Sequence, residues 1–191
     1  MGNNKSRSNV MIDQHGWYQG ARRVESPFYD QRPDERDISL LVVHNISLPP
    51  GQFGGPYIEQ FFSGTLASQA HPFFKVIEKM QVSAHCLIRR DGEVVQFVPF
   101  SARAWHAGQS SFAGRERCND YSIGIELEGS DFIAYTQAQY QALVSLTEQL
   151  MAHYPALTRE RIAGHQYIAP MRKTDPGLVF DWRYFLSQIQ P

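Results

Sequence analysis

Ser39-Leu40-Leu41-Val42-Val43-His44, read beside Tyr121-Ser122-Ile123-Gly124-Ile125-Glu126-Leu127-Glu128, decides the fold class. The first is a short, unbroken apolar run rich in β-branched residues, the pattern of a buried strand, and it delivers a histidine at its end. The second alternates, with Ile123, Ile125 and Leu127 on one face and Ser122, Gly124, Glu126 and Glu128 on the other. Two carboxylates thus share a strand face with a glycine. Between these strands, Asp91-Gly92 sits between Cys86–Arg90 and Glu93–Val98 and reads as a hairpin with a two-residue turn. Further on, Thr136 and Gln139 form a capping-box pattern ahead of the stripe Tyr140, Leu143, Val144, Thr147, Leu150 and Met151, a helix that ends before Pro155. A second helix begins near Asp181 and buries Trp182, Phe185, Leu186 and Ile189. Strands and amphipathic helices in mixed order predict the α/β (mixed) class, with one central mixed sheet flanked by helices.

The flanking stretches carry less pattern. Residues 1–37 are polar and irregular, with Pro27 and Pro33, and are expected to lie along the surface. Residues 48–82 are interrupted by Pro49-Pro50-Gly51 and Gly54-Gly55-Pro56 and read as an elaborated loop, with a short helix from Pro56 carrying Tyr57, Phe61 and Phe62. The 191 residues fit one domain, 1–191, and contain no repeat, low-complexity tract or long linker. A hydrophobic fraction of 42% with 13% aromatics excludes a disordered chain. Eighteen Lys+Arg against nineteen Asp+Glu leave a net charge of −1, so no global field draws the chain to nucleic acid or an anionic membrane. Cys86 and Cys118 alone make no disulfide framework. The longest strongly apolar stretch, Ile38 to Val43, falls far short of the roughly 20 residues that span a bilayer. Met1–Asn9 is polar and is not followed by the apolar core of a secretory signal, so a cytoplasmic location is expected.

Of the seven histidines, His15, His71 and His153 read as turn, solvent or helix-end residues. His44 and His165 stand apart, because each sits where an apolar strand-like run gives way to turn residues. The loop Lys173-Thr174-Asp175-Pro176-Gly177 then places a carboxylate ten positions after His165. Two imidazoles and a carboxylate are the donor set of a hydrolytic zinc site, whose fourth position holds a water with its pKa lowered to about 7. Spacing alone leaves this open against two packed histidines and a loop aspartate, since no short metal motif is present. A cysteine hydrolase built on Cys86 or Cys118 with His85 is the weaker chemistry, because Cys86 lies in an apolar strand where thiols behave as small buried hydrophobes.

Five segments in order carry a resemblance: Leu41–Gly51, Val82–Gly92, Arg103–Gly108, Ser122–Gly129, and Gly164-His165 followed by Arg172–Gly177. Together they resemble the zinc-dependent N-acetylmuramoyl-L-alanine amidases, of the peptidoglycan-recognition-like fold, and among them the cytoplasmic AmpD type that acts on 1,6-anhydromuramyl peptides. The resemblance spans about residues 16 to 190. It implies Zn²⁺ as cofactor, held by His44, His165 and Asp175, and an anhydro-muramyl peptide as the small-molecule partner. It further implies Glu126 as general base and then proton donor, with Glu128 as fallback, and Lys173 as stabiliser of the tetrahedral oxyanion. Asn45, Trp105, Arg117, His85 and His106 are the implied substrate contacts, Trp105 as a stacking face and Arg117 as a partner for a stem-peptide carboxylate. His85 and His106 read equally as supports behind the ligands. Met171 stands where the resemblance leads one to expect an acidic residue. The reaction implied is cleavage of the amide between the lactyl group of the muramic acid and L-alanine, in cell-wall recycling that also governs inducible β-lactamase. The alternative is a non-catalytic peptidoglycan-binding module of the same fold, which would be expected to have lost a metal ligand.

Overall fold

The computed structural model describes residues 11–190, so the reading of Met1–Asn9 lies outside the described residues. Along the chain the strands are β1 (Arg22–Arg23), β2 (Tyr29–Gln31), β3 (Leu40–Ile46), β4 (Cys86–Ile88), β5 (Val94–Gln96), β6 (Ala102–Ala104), β7 (Ser111–Phe112), β8 (Arg115–Glu116), β9 (Ser122–Glu128) and β10 (Ile162–Gly164). The helices are α1 (Tyr57–Phe62), α2 (Phe74–Ile77), α3 (Gln137–His153), α4 (His165–Ile168) and α5 (Trp182–Gln188). Six strands form the central sheet in the order β1-β5-β4-β9-β3-β10. Every neighbouring pair is parallel except β4 with β5, so the sheet is mixed, as the sequence predicts.

The two strands that decide the class lie side by side. β3 and β9 run parallel with Leu41 opposite Ile123, Val43 opposite Ile125 and His44 opposite Glu126. This register puts Leu41, Val43, Ile123, Ile125 and Leu127 on one face, where they pack under Leu143, Leu146 and Leu150 of α3 and Phe185 of α5. The helix starts as its sequence demands: the Thr136 hydroxyl accepts from the Gln139 N–H, and the Gln139 side chain accepts from the Thr136 N–H. Burying this face leaves Ser122, Gly124 and Glu126 on the other. Among the described residues no helix is long and apolar enough to cross a membrane.

Two expectations need correction. The hairpin closes with Leu87 opposite Val95 and Ile88 opposite Val94, and the Gly92 N–H donates to the Arg89 carbonyl, so the connection Arg90-Asp91-Gly92 is three residues long. Gly92 takes φ +90° at the end of that turn, the left-handed position that a three-residue hairpin requires. The N-terminal stretch is more than a surface strap. β1 adds an edge to the central sheet, β2 pairs with β6, and Ile12 enters the core under α3. Arg32, 3% exposed, donates to the carbonyls of Phe100, Asn119, Asp120 and Ser122. Short polar edge strands carry no periodicity, which is why the sequence pattern misses them.

Candidate metal centre

The carboxyl ends of β3 and β9 and the junction of β10 with α4 open on one side of the sheet. β10 is in register with β3, Gly164 opposite Val43, so the next residue, His165, comes level with His44. Asp175 arrives from a loop pinned by the Gln166 N–H, which donates to the Asp175 carbonyl at 3.0 Å, and by the Tyr135 hydroxyl, which donates to the Pro176 carbonyl at 2.8 Å. The three side chains converge as a triangle: His44 Nδ1 lies 2.9 Å from His165 Nδ1 and 3.1 Å from Asp175 Oδ2, and His165 Nδ1 lies 3.0 Å from Asp175 Oδ2. Tetrahedral ligands at about 2.0–2.1 Å from a zinc ion stand about 3.3 Å apart, so opening the triangle by about 0.3 Å suffices.

The surroundings assign the atoms. His165 Nε2–H donates to the Ala107 carbonyl at 3.1 Å, which leaves its Nδ1 lone pair facing the triangle. Burial pushes the His44 imidazolium down to about 4, with Asp175 opposing only in part, so the ring is neutral and able to ligate. Burial alone would raise the Asp175 carboxyl, but the His165 and His44 imidazoles beside it outweigh it and hold the group well below the usual carboxylate range. Two imidazole nitrogens and one ionised oxygen thus point at one spot. That arrangement fits a divalent cation.

Glu126 stands beside His44 on the next strand, roughly 5 Å away across the sheet. Its Oε2 is buried without a hydrogen-bond partner. Burial, reinforced by the charge of Asp175 and opposed by Lys173, drives its carboxyl well above the ordinary glutamate value. These groups and Lys173 line a cleft of about 360 Å³. Its apolar lining comes from Phe61, Phe62, Phe73, Ile77 and Val82 with Trp105. The elaborated segment 48–82 therefore supplies most of that apolar lining, in part through α1 and α2. Beyond Asn45, Ser47, Lys173 and Asp175 a second depression of about 640 Å³ continues towards Phe132, which is 89% exposed. Asn45 sits between the two and donates to Asp131 at 2.8 Å.

Other candidates fall elsewhere. His106 lines the cleft and contacts His44. His85 is corrected as a substrate contact, because it is 0% exposed; its Nδ1 accepts from the Gly124 N–H and its Nε2 faces the Ala102 carbonyl. Arg117 also lies outside the cleft. It pairs with Asp120 at 3.1 Å and borders a separate depression with Gly108 and Arg172. Glu128 is consumed by structure: it accepts from the Gly54 and Arg90 N–H groups and faces Arg89 at 3.6 Å. Met171 is fully exposed, so it leaves the triangle untouched. Both cysteines are buried; burial pushes the Cys86 thiol up, Cys118 Sγ sits 3.3 Å from the Tyr121 hydroxyl, and neither lines the cleft. This removes the cysteine-hydrolase reading. Asn119, Arg172 and Ser122, which brace the histidines, escaped the sequence reading because an isolated polar residue in a loop or at a strand start carries no pattern.

The family model described as N-acetylmuramoyl-L-alanine amidase matches residues 34–178, a span that takes in all three groups of the triangle. The chain belongs to the N-acetylmuramoyl-L-alanine amidase family. It is 61% identical over 181 residues to the 1,6-anhydro-N-acetylmuramyl-L-alanine amidase AmpD of Citrobacter freundii, covering 95% of this chain and 96% of that protein. To AmpD of Escherichia coli K12 it is 62% identical over 175 residues, 92% of this chain and 95% of that one. Among solved structures of amidases, a crystal structure of selenomethionine AmpD superposes with a TM-score of 0.90 at 61% identity, covering 94% and 99% of the two chains. The amidase AmiD from E. coli, solved with anhydro-N-acetylmuramic acid-L-Ala-D-γ-Glu-L-Lys, gives 0.59 at 30% identity over 95% of this chain and 67% of that one.

Proposed function

We propose that the chain is a zinc amidase that hydrolyses the bond between the lactyl group of 1,6-anhydro-N-acetylmuramic acid and L-alanine of the stem peptide, acting on soluble muropeptides in the cytoplasm. The observation that carries this reading is the acceptor triangle of His44, His165 and Asp175 with Glu126 in register beside it. The relatives named for this activity support the choice of substrate. Zinc held by the two Nδ1 atoms and Asp175 Oδ2 would supply an acidified water and polarise the amide carbonyl. Glu126, with one oxygen unpartnered, takes the proton of the attacking water and passes it to the departing amine. Its raised proton affinity suits both halves of that transfer. Trp105 and the phenylalanine wall offer flat apolar area to the sugar, and Asn45 bridges the two depressions where the peptide would continue.

Lys173, two residues before Asp175, borders both depressions, which supports its reading as the stabiliser of the oxyanion. Lys173→Ala is expected to slow turnover by about 10²–10³, the scale of one lost oxyanion donor, with metal content unchanged. Atomic absorption beside steady-state kinetics checks this, and loss of zinc in that variant would make Lys173 a support of the Asp175 loop instead. The reading as a whole is tested by mass spectrometry of a 1,6-anhydro-muramyl tripeptide incubated with the protein. The expected products are the free tripeptide and the anhydro sugar, formed faster than any release from intact sacculi and abolished by chelation. Binding without product at every zinc level would favour the non-catalytic module.

A further inference from the structure

Both histidines of the triangle lean on consecutive residues. His165 donates from Nε2 to the Ala107 carbonyl at 3.1 Å, while His44 Nε2 lies 2.8 Å from His106 Nδ1. His106 Nε2 in turn lies 3.0 Å from the Ser122 hydroxyl. One proton order satisfies the chain: His44 Nε2–H donates to His106 Nδ1, and His106 Nε2–H donates to Ser122. A carbonyl or carboxylate is the usual partner behind a metal-ligating histidine; an imidazole here is an unusual choice, and the fold makes room for it. A Cβ on Gly124 would lie 2.4 Å from His106 Cγ, so only glycine lets the ring sit against β9. The segment is fixed in turn by Asn119, whose Oδ1 accepts from the His106 N–H at 3.1 Å and the Ala107 N–H at 2.8 Å. Arg172 adds a second donor to the Ala107 carbonyl at 2.6 Å.

We infer that His106-Ala107, keyed by Asn119, is a two-pronged positioning element that sets the tautomer of both metal-ligating histidines, the side chain of His106 acting on His44 and the carbonyl of Ala107 acting on His165. The inference rests on the zinc reading above. Without His106, the His44 ring loses the acceptor that keeps its proton on Nε2 and its lone pair on Nδ1. Without Asn119, two backbone N–H groups lose their acceptor and both prongs shift together. The two residues should therefore leave different fingerprints.

The test uses the full chain loaded with zinc. Chelator competition gives the zinc Kd, and long-range proton–nitrogen spectra of the imidazoles report which nitrogen carries the proton. His106→Ala and Asn119→Ala are each expected to weaken zinc binding by about 10–100-fold. His106→Ala should disturb the tautomer signals of His44 and spare those of His165, whereas Asn119→Ala should disturb both. Asn119→Asp, which keeps the acceptor oxygen, should recover affinity to within a few-fold. Gly124→Ala should weaken zinc by crowding His106 while removing no polar atom. If the loaded wild-type protein shows His44 protonated on Nδ1, or if folded His106→Ala and Asn119→Ala bind zinc within about two-fold of wild type, the inference is overturned. The wild-type spectrum decides even where a variant does not fold. A wild-type chain that binds no zinc would instead overturn the functional reading.

Discussion

Glu126→Gln is expected to lower kcat by about 10²–10⁴, the range of a lost general acid–base, while zinc content and substrate binding hold. The substitution keeps the shape of the side chain and removes only its capacity to take and return a proton. The same change should stabilise the metal-free protein, and the pH dependence separates this from a packing effect. The Glu126 carboxyl sits well above its ordinary value in the fold because burial penalises the anion. Below the ordinary glutamate value of about 4.3, both folded and unfolded chains carry the proton, and the residue costs nothing. As pH rises through the window from that value to the raised folded one, the unfolded chain ionises first and stability is lost. Chelator-treated Glu126→Gln should therefore melt above wild type at neutral and higher pH, with the gap closing below about pH 4. Scanning calorimetry across pH checks it. A gap that is constant with pH would mean that Glu126 is not held in a desolvated position.

The parts legible in the sequence are those whose physics is local. The apolar run at 39–43 and the alternation at 122–128 specify two strands because burial on two faces or on one leaves a direct imprint on residue order. The Thr136–Gln139 box marks a helix start because both of its hydrogen bonds are made within one turn. His44, His165 and Asp175 are nameable as a set, but from spacing only as one option among several; what brings the histidines to 2.9 Å is the parallel register of β3 and β10, and what brings Asp175 to them is a loop held by Gln166 and Tyr135, both long-range facts. For the same reason the sequence leaves His85 open between substrate contact and support, and Arg117 open between substrate contact and surface charge. A histidine at a strand start reads alike whether it faces a cleft or, as His85 does, is enclosed beside Arg32 and the Gly124 amide. Arg32 is the extreme case: a cation 3% exposed whose guanidinium donates to main-chain carbonyls runs against the tendency of arginine to stay at the surface.

Removing a corner of the triangle is the second large expected effect. Asp175→Ala should abolish zinc binding at micromolar metal and with it turnover, and added zinc should fail to restore either. The energetic reason lies in the burial of the two imidazoles, with Asp175 half-buried beside them. His44 and His165 are 1% and 3% exposed, and their Nδ1 lone pairs face each other at 2.9 Å, an arrangement that is favourable only with a shared cation or proton between them. Zinc held as proposed by the folded triangle and not by the unfolded chain would also stabilise the fold, by about 4 kcal/mol when free metal exceeds Kd by about 1,000-fold. Chelation of wild type should thus lower its melting temperature and abolish activity together, and zinc should restore both. In Asp175→Ala the melting temperature should already lie at or below that of the chelated wild type and show no response to zinc. Asp175→Asn sharpens the test, because it preserves volume and a neutral oxygen while removing the charge that the cation would meet. A variant at Asp175 that retained stoichiometric zinc would show that the ion, and with it the chemistry, belongs to a different set of donors.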